Sequence, residues 1–340
     1  MVRKWVLRIL AGLVGVVLVV VAMSAVSPWP SALVVREVFQ NNAKKVAKIM
    51  APFAPGGVHG VLDIQYAEGS EQPHVRASDF TKLDVFYPEG TTEQLGTVIW
   101  SHGGAWVSGN KEFDRTYFEI LASQGFTVVG LNYTYGPEAQ YPTAVFELNQ
   151  AHRYLLDHAD ELHIDPNRIV LAGDSAGAQL TSQLATLVTS PEYAATMSFE
   201  PVLKPDQLQG LVLNCGVYDV TTLLGQEGIL GWGDDAALWA YTGDRDLAHS
   251  AAVAQMSTLH HVTASFPATY ISGGNADPLT AGNSKPFAAR LTSLGVQVTE
   301  LFWPADYTPA LPHEYQFRLN LDAAQQALVA TTDFLNEQLK

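Results

Sequence analysis

Short apolar segments recur along most of the chain, separated by longer segments whose apolar residues follow a helical period. Apolar runs of about four to eight residues that end at turn residues are typical of buried strands. Helical segments, including residues 143–158 and 320–339, lie between most of them. The alternation predicts an α/β fold with a mostly parallel sheet, flanked by helices and connected by right-handed crossovers. The predicted strands are residues 81–87, 97–100, 126–131, 168–172, 208–213, 267–272 and 296–302.

Two further segments are expected to cover the sheet. About fifty residues separate the strand that ends near Asn214 from the one that begins near Pro267, which is more than a plain crossover requires. We expect a helical lid insertion over residues 218–262, with extra helices packed on the sheet as the alternative. An amphipathic helix over residues 33–50 predicts a second lid segment, residues 31–50, and contact with a membrane surface is its alternative.

The N-terminal thirty residues have a different pattern. Arg3, Lys4 and Arg8 precede an uncharged, strongly apolar stretch over residues 9–26. Eighteen such residues are just long enough to span a bilayer, which favours an uncleaved membrane anchor over a cleaved signal peptide. The sequence thus predicts an anchor or signal segment over residues 1–30 and an exported catalytic domain over residues 31–340.

Composition and charge narrow the class of protein. The 340 residues are 47% hydrophobic, enough for a large core in one α/β domain. The net charge of −15 argues against a nucleic-acid partner. The single cysteine, Cys215, excludes an internal disulfide and is expected to be a core residue.

Residues 173–177, Gly-Asp-Ser-Ala-Gly, form a G-x-S-x-G sequence directly after a predicted strand and before a helical segment. In that context the motif places a serine hydroxyl on a sharp strand-to-helix turn, clear of its own backbone. Ser175 is therefore the predicted nucleophile. A glycine-rich turn without chemistry is the alternative.

A second glycine motif, His102-Gly103-Gly104, follows another predicted strand. Attack on an ester carbonyl creates an oxyanion, which preorganised backbone N–H groups stabilise. The N–H groups of Gly103, Gly104 and Ala176 are the predicted donors, with a simple turn as the alternative. We expect His102 to hold this loop in place rather than to act as a base, because it precedes the nucleophile.

A serine nucleophile requires a base and an orienting carboxylate, which follow the nucleophile in the order acid, histidine. Asp277 lies on the loop after a predicted strand, and His313 lies on the loop after the next one. We predict that Asp277 is the acid and His313 the base. Asp219, in the loop after an earlier strand, is the rival acid.

The remaining histidines do not indicate a metal site. Adjacent residues such as His260 and His261 point about 100° apart on a helix, so we expect solvated surface there. His152, His158 and His163 have no accompanying H-E-x-x-H or cysteine pattern. The sequence predicts neither a metal nor a cofactor.

Taken together, these motifs resemble the hormone-sensitive-lipase-like branch of the α/β-hydrolase esterases, over residues 83–339. The resemblance also includes residues 132–138, Asn-Tyr-Thr-Tyr-Gly-Pro-Glu. Ala105 and Ala178 stand where glycines are common in that branch. Glu314 and Tyr315 follow the histidine where glycine and an aromatic residue are common, so the resemblance implies a different rim of the acyl pocket.

The sequence and the resemblance predict a serine carboxylesterase that hydrolyses small or medium acyl esters through an acyl-enzyme, with Ser175, Asp277 and His313 as its triad. An amidase or peptidase on the same scaffold and a catalytically silent binding protein are the alternatives. The predicted partners are a small-molecule ester and, through the N-terminal segment, a membrane. Acyl length, alcohol and oligomeric state stay open.

Overall fold

The computed structural model describes Trp5 and residues 22–340. In this part of the chain the strands form a sheet of eight, in the order β1-β2-β4-β3-β5-β6-β7-β8. β2 pairs antiparallel with β1 and with β4, and all other pairs are parallel. The strands are β1 Val58–Gln65, β2 Lys82–Pro88, β3 Leu95–Ser101, β4 Thr127–Leu131, β5 Ile164–Asp174, β6 Leu208–Asn214, β7 Ala268–Gly273 and β8 Val298–Phe302.

Helices connect the strands and cover both faces of the sheet. They are α1 Trp29–Met50, α2 Arg115–Ser123, α3 Thr143–Asp157, α4 Ser175–Thr189, α5 Pro191–Thr196, α6 Gly228–Thr242, α7 Ala251–Met256, α8 Lys285–Ser293 and α9 Asp322–Leu339. A π-helical turn, Thr280–Ser284, precedes α8.

The seven predicted strands all occur, and those inside the sheet bury their apolar side chains against both helical layers. Along β3, Val98 and Trp100 face the core that includes α2 and α9. Ile99 faces the opposite core, which includes α3, α4 and α8. Alternate residues of one strand thus fill two hydrophobic layers.

One strand, β1, is absent from the sequence prediction. Val58–Gln65 is a largely exposed edge strand, and its register with β2 is interrupted between Val61 and Ile64. Because neither face is fully buried, it lacks both the apolar run and the regular alternation by which strands are recognised.

Two helices, α1 and α6, line the cavity at the carboxyl edge of the sheet. α6 lies within the predicted lid segment 218–262, and α1 begins two residues before the predicted segment 31–50. Small side chains let them approach closely: Ala32 and Val35 of α1 pack against Ala236 and Ala240 of α6. Arg36 fixes α1 to the rest of the protein by donating hydrogen bonds to the Val107 and Gly136 carbonyls and to the Glu138 carboxylate. Ala32, Val35, Val46 and Met50 of α1 are therefore covered by protein, whereas Leu33, Val34 and Val38 stay exposed.

The prediction of a membrane anchor is wrong. Across Trp5 and residues 22–340, no helix is long and apolar enough to cross a membrane. This finding contradicts the predictions of a transmembrane helix, of a signal anchor and of a membrane-anchored location. The predicted span itself, residues 9–26, lies largely outside the described residues. The long helix that is described nearby, α1, carries Arg36, Lys44 and Lys48, and a bilayer core strongly disfavours such charges.

Candidate active site

Ser175 lies at a sharp turn between β5 and α4. It adopts a positive φ of 51°, a region that residues other than glycine rarely occupy. The flanking glycines are required by close backbone approach: a Cβ at Gly177 would overlap the Ser101 carbonyl oxygen, and one at Gly173 would lie 2.6 Å from the Gly177 carbonyl group. This is the geometry that the G-x-S-x-G sequence predicts, and it holds the Ser175 hydroxyl at the carboxyl edge of the sheet.

The structure brings Ser175, His313 and Asp277 together from three separate loops. His313 Nε2 lies 2.9 Å from Ser175 Oγ, and His313 Nδ1 lies 2.9 Å from Asp277 Oδ2. Asp277 follows β7, and its Oδ1 also accepts a hydrogen bond from the Leu279 N–H. Both ring nitrogens of the imidazole are thus occupied, one by the hydroxyl and one by the carboxylate.

The surroundings of His313 raise its pKa. Burial by itself would lower the pKa of His313, but the Asp277 carboxylate, with smaller effects from Glu314 and Asp174, raises it to about 9. Burial opposes ionisation of Asp277 too, yet the charge of His313 and its hydrogen bond hold the pKa of Asp277 below its usual value. The pair therefore favours an imidazolium beside a carboxylate.

We expect kcat/KM for ester hydrolysis to fall as the pH is lowered, because a protonated imidazole cannot accept the Ser175 proton. Since the pKa of His313 is raised to about 9, the decline should begin on the alkaline side of neutrality, above the usual histidine range. Initial rates from about pH 5 to pH 10, corrected for spontaneous hydrolysis, measure the profile.

Glu314→Gln should move the midpoint of that profile to lower pH, because Glu314 is one of the carboxylates that raise the pKa of His313. Asp306→Asn removes an exposed charge elsewhere and should leave the midpoint in place. A rate that stays flat from about pH 5 to 8 would contradict a histidine base.

The predicted oxyanion donors require one correction. The Gly103 N–H donates to Asp174 Oδ2 over 2.8 Å, so it is not free to face an oxyanion. Among the described residues, the N–H groups of Gly104 and Ala105 donate to no other group of the chain. Ala105 and Ala176 line the cavity beside Ser175. Ala105 has a positive φ of 53°. This conformation is uncommon for alanine, so the sequence alone did not indicate it.

His102 is placed as predicted, beneath the loop rather than in the triad. It is buried, stacks on Tyr133 and has Nδ1 2.7 Å from the Gly103 carbonyl oxygen. Burial lowers the pKa of His102 to about 4. The neutral ring therefore acts as packing and as a hydrogen-bond partner for the loop.

A group of carboxylates beneath the loop was not predicted from the sequence. Asp174 accepts hydrogen bonds from Gly103 N–H and from Trp100 Nε1, so it ties the loop to the nucleophile turn. Glu314, at a positive φ of 57°, places Oε1 3.7 Å from His313 Nε2. Both residues line a water-sized cavity of about 30 Å³, together with Asp114. Burial raises the pKa of Asp174 and of Asp114 well above the usual value.

The rival acid, Asp219, is held elsewhere. Its Oδ1 accepts hydrogen bonds from the backbone N–H and the hydroxyl of Thr221, and its Oδ2 lies 3.5 Å from His260 Nε2. His260 is largely exposed, whereas His261 stacks on Tyr193. Asp219 therefore caps a turn and pairs with a surface histidine, not with His313.

One group of side chains in the described part of the chain has the spacing of metal ligands. The ligand-type atoms of Cys215, Asp277 and His313 all lie within 4.8 Å of one another. Two of these residues already bond to each other. Burial raises the pKa of the Cys215 thiol well above its usual value, which disfavours the thiolate that a metal requires. The arrangement fits a hydrogen-bonded pair beside a core cysteine better than a metal centre.

A cavity of about 540 Å³ opens beside Ser175 and His313. This volume lies within the range of pockets that hold small organic ligands. Its lining comes from the loops after the strands and from α1 and α6, and it is largely apolar, including Phe39, Trp106, Val217, Leu223, Leu230 and Leu279.

Comparison with known proteins places these features in a family. The family described as BD-FAE matches residues 83–291, which includes Ser175 and Asp277 and ends before His313. An AB hydrolase superfamily protein of Schizosaccharomyces pombe is 30% identical over 152 residues, which are 43% of this chain and 43% of that protein. An acetyl esterase of Salmonella paratyphi B is 36% identical over 97 residues, 28% of this chain and 29% of that protein. The matches thus span less than half of either relative.

The similarity to solved structures extends over nearly the whole chain. Esterase B from Lactobacillus rhamnosis has a TM-score of 0.72 at 22% identity, with 91% of this chain and 97% of that chain covered. At this identity the comparison establishes the shared fold. The predicted α/β-hydrolase fold, with its mostly parallel sheet flanked by helices, is confirmed.

Proposed function

The chain belongs to the BD-FAE family, in agreement with the resemblance to hormone-sensitive-lipase-like esterases, and we propose that it is a serine carboxylesterase. One observation carries the proposal: His313 lies 2.9 Å from the Ser175 hydroxyl on one side and 2.9 Å from the Asp277 carboxylate on the other. That arrangement suits acyl transfer through a covalent intermediate.

In the proposed acylation step, Ser175 Oγ attacks the ester carbonyl carbon while His313 Nε2 accepts its proton. The carbonyl oxygen becomes an oxyanion, and the tetrahedral intermediate collapses as His313 passes the proton to the departing alkoxide. Asp277 holds the ring by its Nδ1–H and stabilises the imidazolium. A water molecule, deprotonated by His313, then attacks the acyl-serine, and the acid leaves as Ser175 regains its proton.

We assign the oxyanion contacts to the N–H groups of Gly104, Ala105 and Ala176. Gly103 instead fixes the loop through Asp174. The free donors of the loop and the position of Ala105 and Ala176 in the lining support this assignment. Donors held in place before the reaction stabilise the developing charge without reorganisation.

We also propose that residues 31–340 form one catalytic domain in which residues 31–50 and 218–262 make the lid. The contacts between α1 and α6, and the presence of Phe39 and Leu230 in the lining of the cavity, support this division. A lid of this kind would limit the access of bulk solvent to the acyl-enzyme while the cavity still admits the water that hydrolyses it. The chemistry described above requires no cofactor.

The ester assignment is tested against its nearest alternative with matched substrates. We expect p-nitrophenyl butyrate to be hydrolysed far faster than butyryl p-nitroanilide, because the anilide leaves only after protonation by His313. Across p-nitrophenyl esters of increasing length, kcat/KM should be highest for short and medium chains, since the cavity of about 540 Å³ has the size of pockets that hold small organic ligands. Both sets are measured as nitrophenol or nitroaniline release by purified protein.

Equal or faster turnover of the anilide would indicate an amidase. Absence of turnover of every ester, in folded protein, would favour a silent binding protein.

A further inference from the structure

Besides the triad, one acidic side chain lines the cavity that holds Ser175 and His313. Asp234, on the first half of α6, is part of that lining. In the described part of the chain, no lysine or arginine is part of it. The cavity therefore combines a largely apolar wall with one acidic group that the proposed reaction does not use.

Asp234 lacks a partner in the described part of the chain. Among residues 22–340 it makes no hydrogen bond and no ion pair, and the charged groups that act on it are Asp235, which repels it, and His313, which attracts it. Burial and the nearby Asp235 raise the pKa of Asp234 to about 6. At mildly alkaline pH it therefore carries a charge that is only partly solvated, and a bound cation would lower the cost of that burial.

His313 has no free ring nitrogen with which Asp234 could form a hydrogen bond. Its Nδ1 is bonded to Asp277 and its Nε2 to Ser175, and Glu314 already lies 3.7 Å from Nε2. A role in orienting the imidazole is therefore taken by other residues. Asp234 can, however, contact a group of the substrate that enters the cavity.

We propose that Asp234 is the anionic subsite for a positively charged group of the substrate, so that the cavity selects esters of organic cations. This inference rests on the proposed esterase function. Phe39 and Trp106 contribute aromatic surface to the same lining, which suits a quaternary ammonium group. The net charge of −15 also attracts cationic substrates towards the protein. Esters that carry an anion should be disfavoured for the same reasons.

The test uses pairs of esters that differ only in charge, assayed in a pH-stat near pH 8, where Asp234 is ionised. Butyrylcholine is compared with 3,3-dimethylbutyl butyrate, whose tert-butyl group replaces the trimethylammonium group. Ethyl 4-(trimethylammonio)butanoate is compared with ethyl 5,5-dimethylhexanoate, so that the cation lies on the acyl side. We expect the cationic ester to have a kcat/KM about tenfold higher or more in at least one pair, the size of one charge-assisted contact.

Asp234→Asn should reduce that ratio to near one. Asp235→Asn is the matched control, because it removes the same charge from the next residue, which is exposed and lines a different cavity with Trp239 and Arg245. It should keep the preference. The control separates a local contact from a change in net charge.

The outcomes distinguish the two proposals. If neutral esters are hydrolysed and neither pair favours the cation, the subsite is wrong while the esterase function stands. The subsite is equally contradicted if Asp234→Asn and Asp235→Asn lower the ratio to the same extent. If Asp234→Asn lowers kcat for charged and neutral esters alike and shifts the pH profile, Asp234 acts through His313 instead. If no ester is hydrolysed at all, the esterase function itself fails.

Discussion

Ser175→Ala is expected to lower kcat for p-nitrophenyl butyrate by about four to six orders of magnitude, because the covalent route is lost and only binding and oxyanion contacts remain. His313→Ala should be comparably inactive. The double variant should be no worse than either single variant, since residues that act as one unit do not contribute additively. Steady-state rates on purified protein measure all three.

The fold should survive this substitution. The Ser175 hydroxyl bonds to His313 and to no other described group, and alanine fills the same positive φ with a similar backbone cost. Ser182→Ala is the control within α4. It removes a buried hydroxyl that is hydrogen-bonded to the Gln179 carbonyl and to the Thr258 hydroxyl. That variant should lose some thermal stability and keep its turnover. Undiminished activity of the Ser175→Ala protein would contradict the nucleophile assignment.

Asp277→Asn is expected to lower kcat by about four orders of magnitude, because an amide no longer selects the imidazole tautomer that presents a basic Nε2 to Ser175. The Asp277 side chain is fully buried and accepts from His313 and from the Leu279 N–H. The amide keeps the volume of the site while it removes the charge that stabilises the imidazolium. Rates and circular dichroism of the same preparation separate lost chemistry from lost folding.

Asp219→Asn is the matched control for the acid. It weakens only a turn at Thr221 and a contact with the exposed His260, so its turnover should stay within a few-fold of the parent. If this variant proves more damaging than Asp277→Asn, the acid has been assigned to the wrong loop.

The sequence predicted the parts of the site that follow directly from chain order. Ser175 directly follows β5, and Asp277 and His313 lie on the loops after β7 and β8. The carboxyl ends of parallel strands meet at one edge of the sheet. The order of the strands was therefore sufficient to predict that these three residues lie close together, without any knowledge of side-chain contacts.

Contacts through space were harder to predict. Gly103 appeared to be an oxyanion donor because the motif does not reveal that Asp174 takes its N–H. The sequence did not indicate that Asp234 lines the cavity, because its position depends on how α6 packs against α1. Strand β1 was missed because an exposed edge strand has little apolar patterning. The anchor prediction rested on an apolar stretch preceded by basic residues, and the finding on the described helices contradicts it.

Covalent labelling shows whether Ser175 is the residue that forms the acyl-enzyme. A fluorophosphonate is attacked by the activated serine and leaves a stable phosphonyl adduct at the position of the tetrahedral intermediate. The protein is labelled, digested and mapped by peptide mass spectrometry, with Ser175→Ala and His313→Ala treated in parallel. We expect one adduct, on the peptide that contains Ser175. It should be absent from Ser175→Ala and should form much more slowly in His313→Ala. An adduct on a different residue that abolishes esterase activity, or esterase activity that persists after complete labelling of Ser175, would contradict Ser175 as the nucleophile.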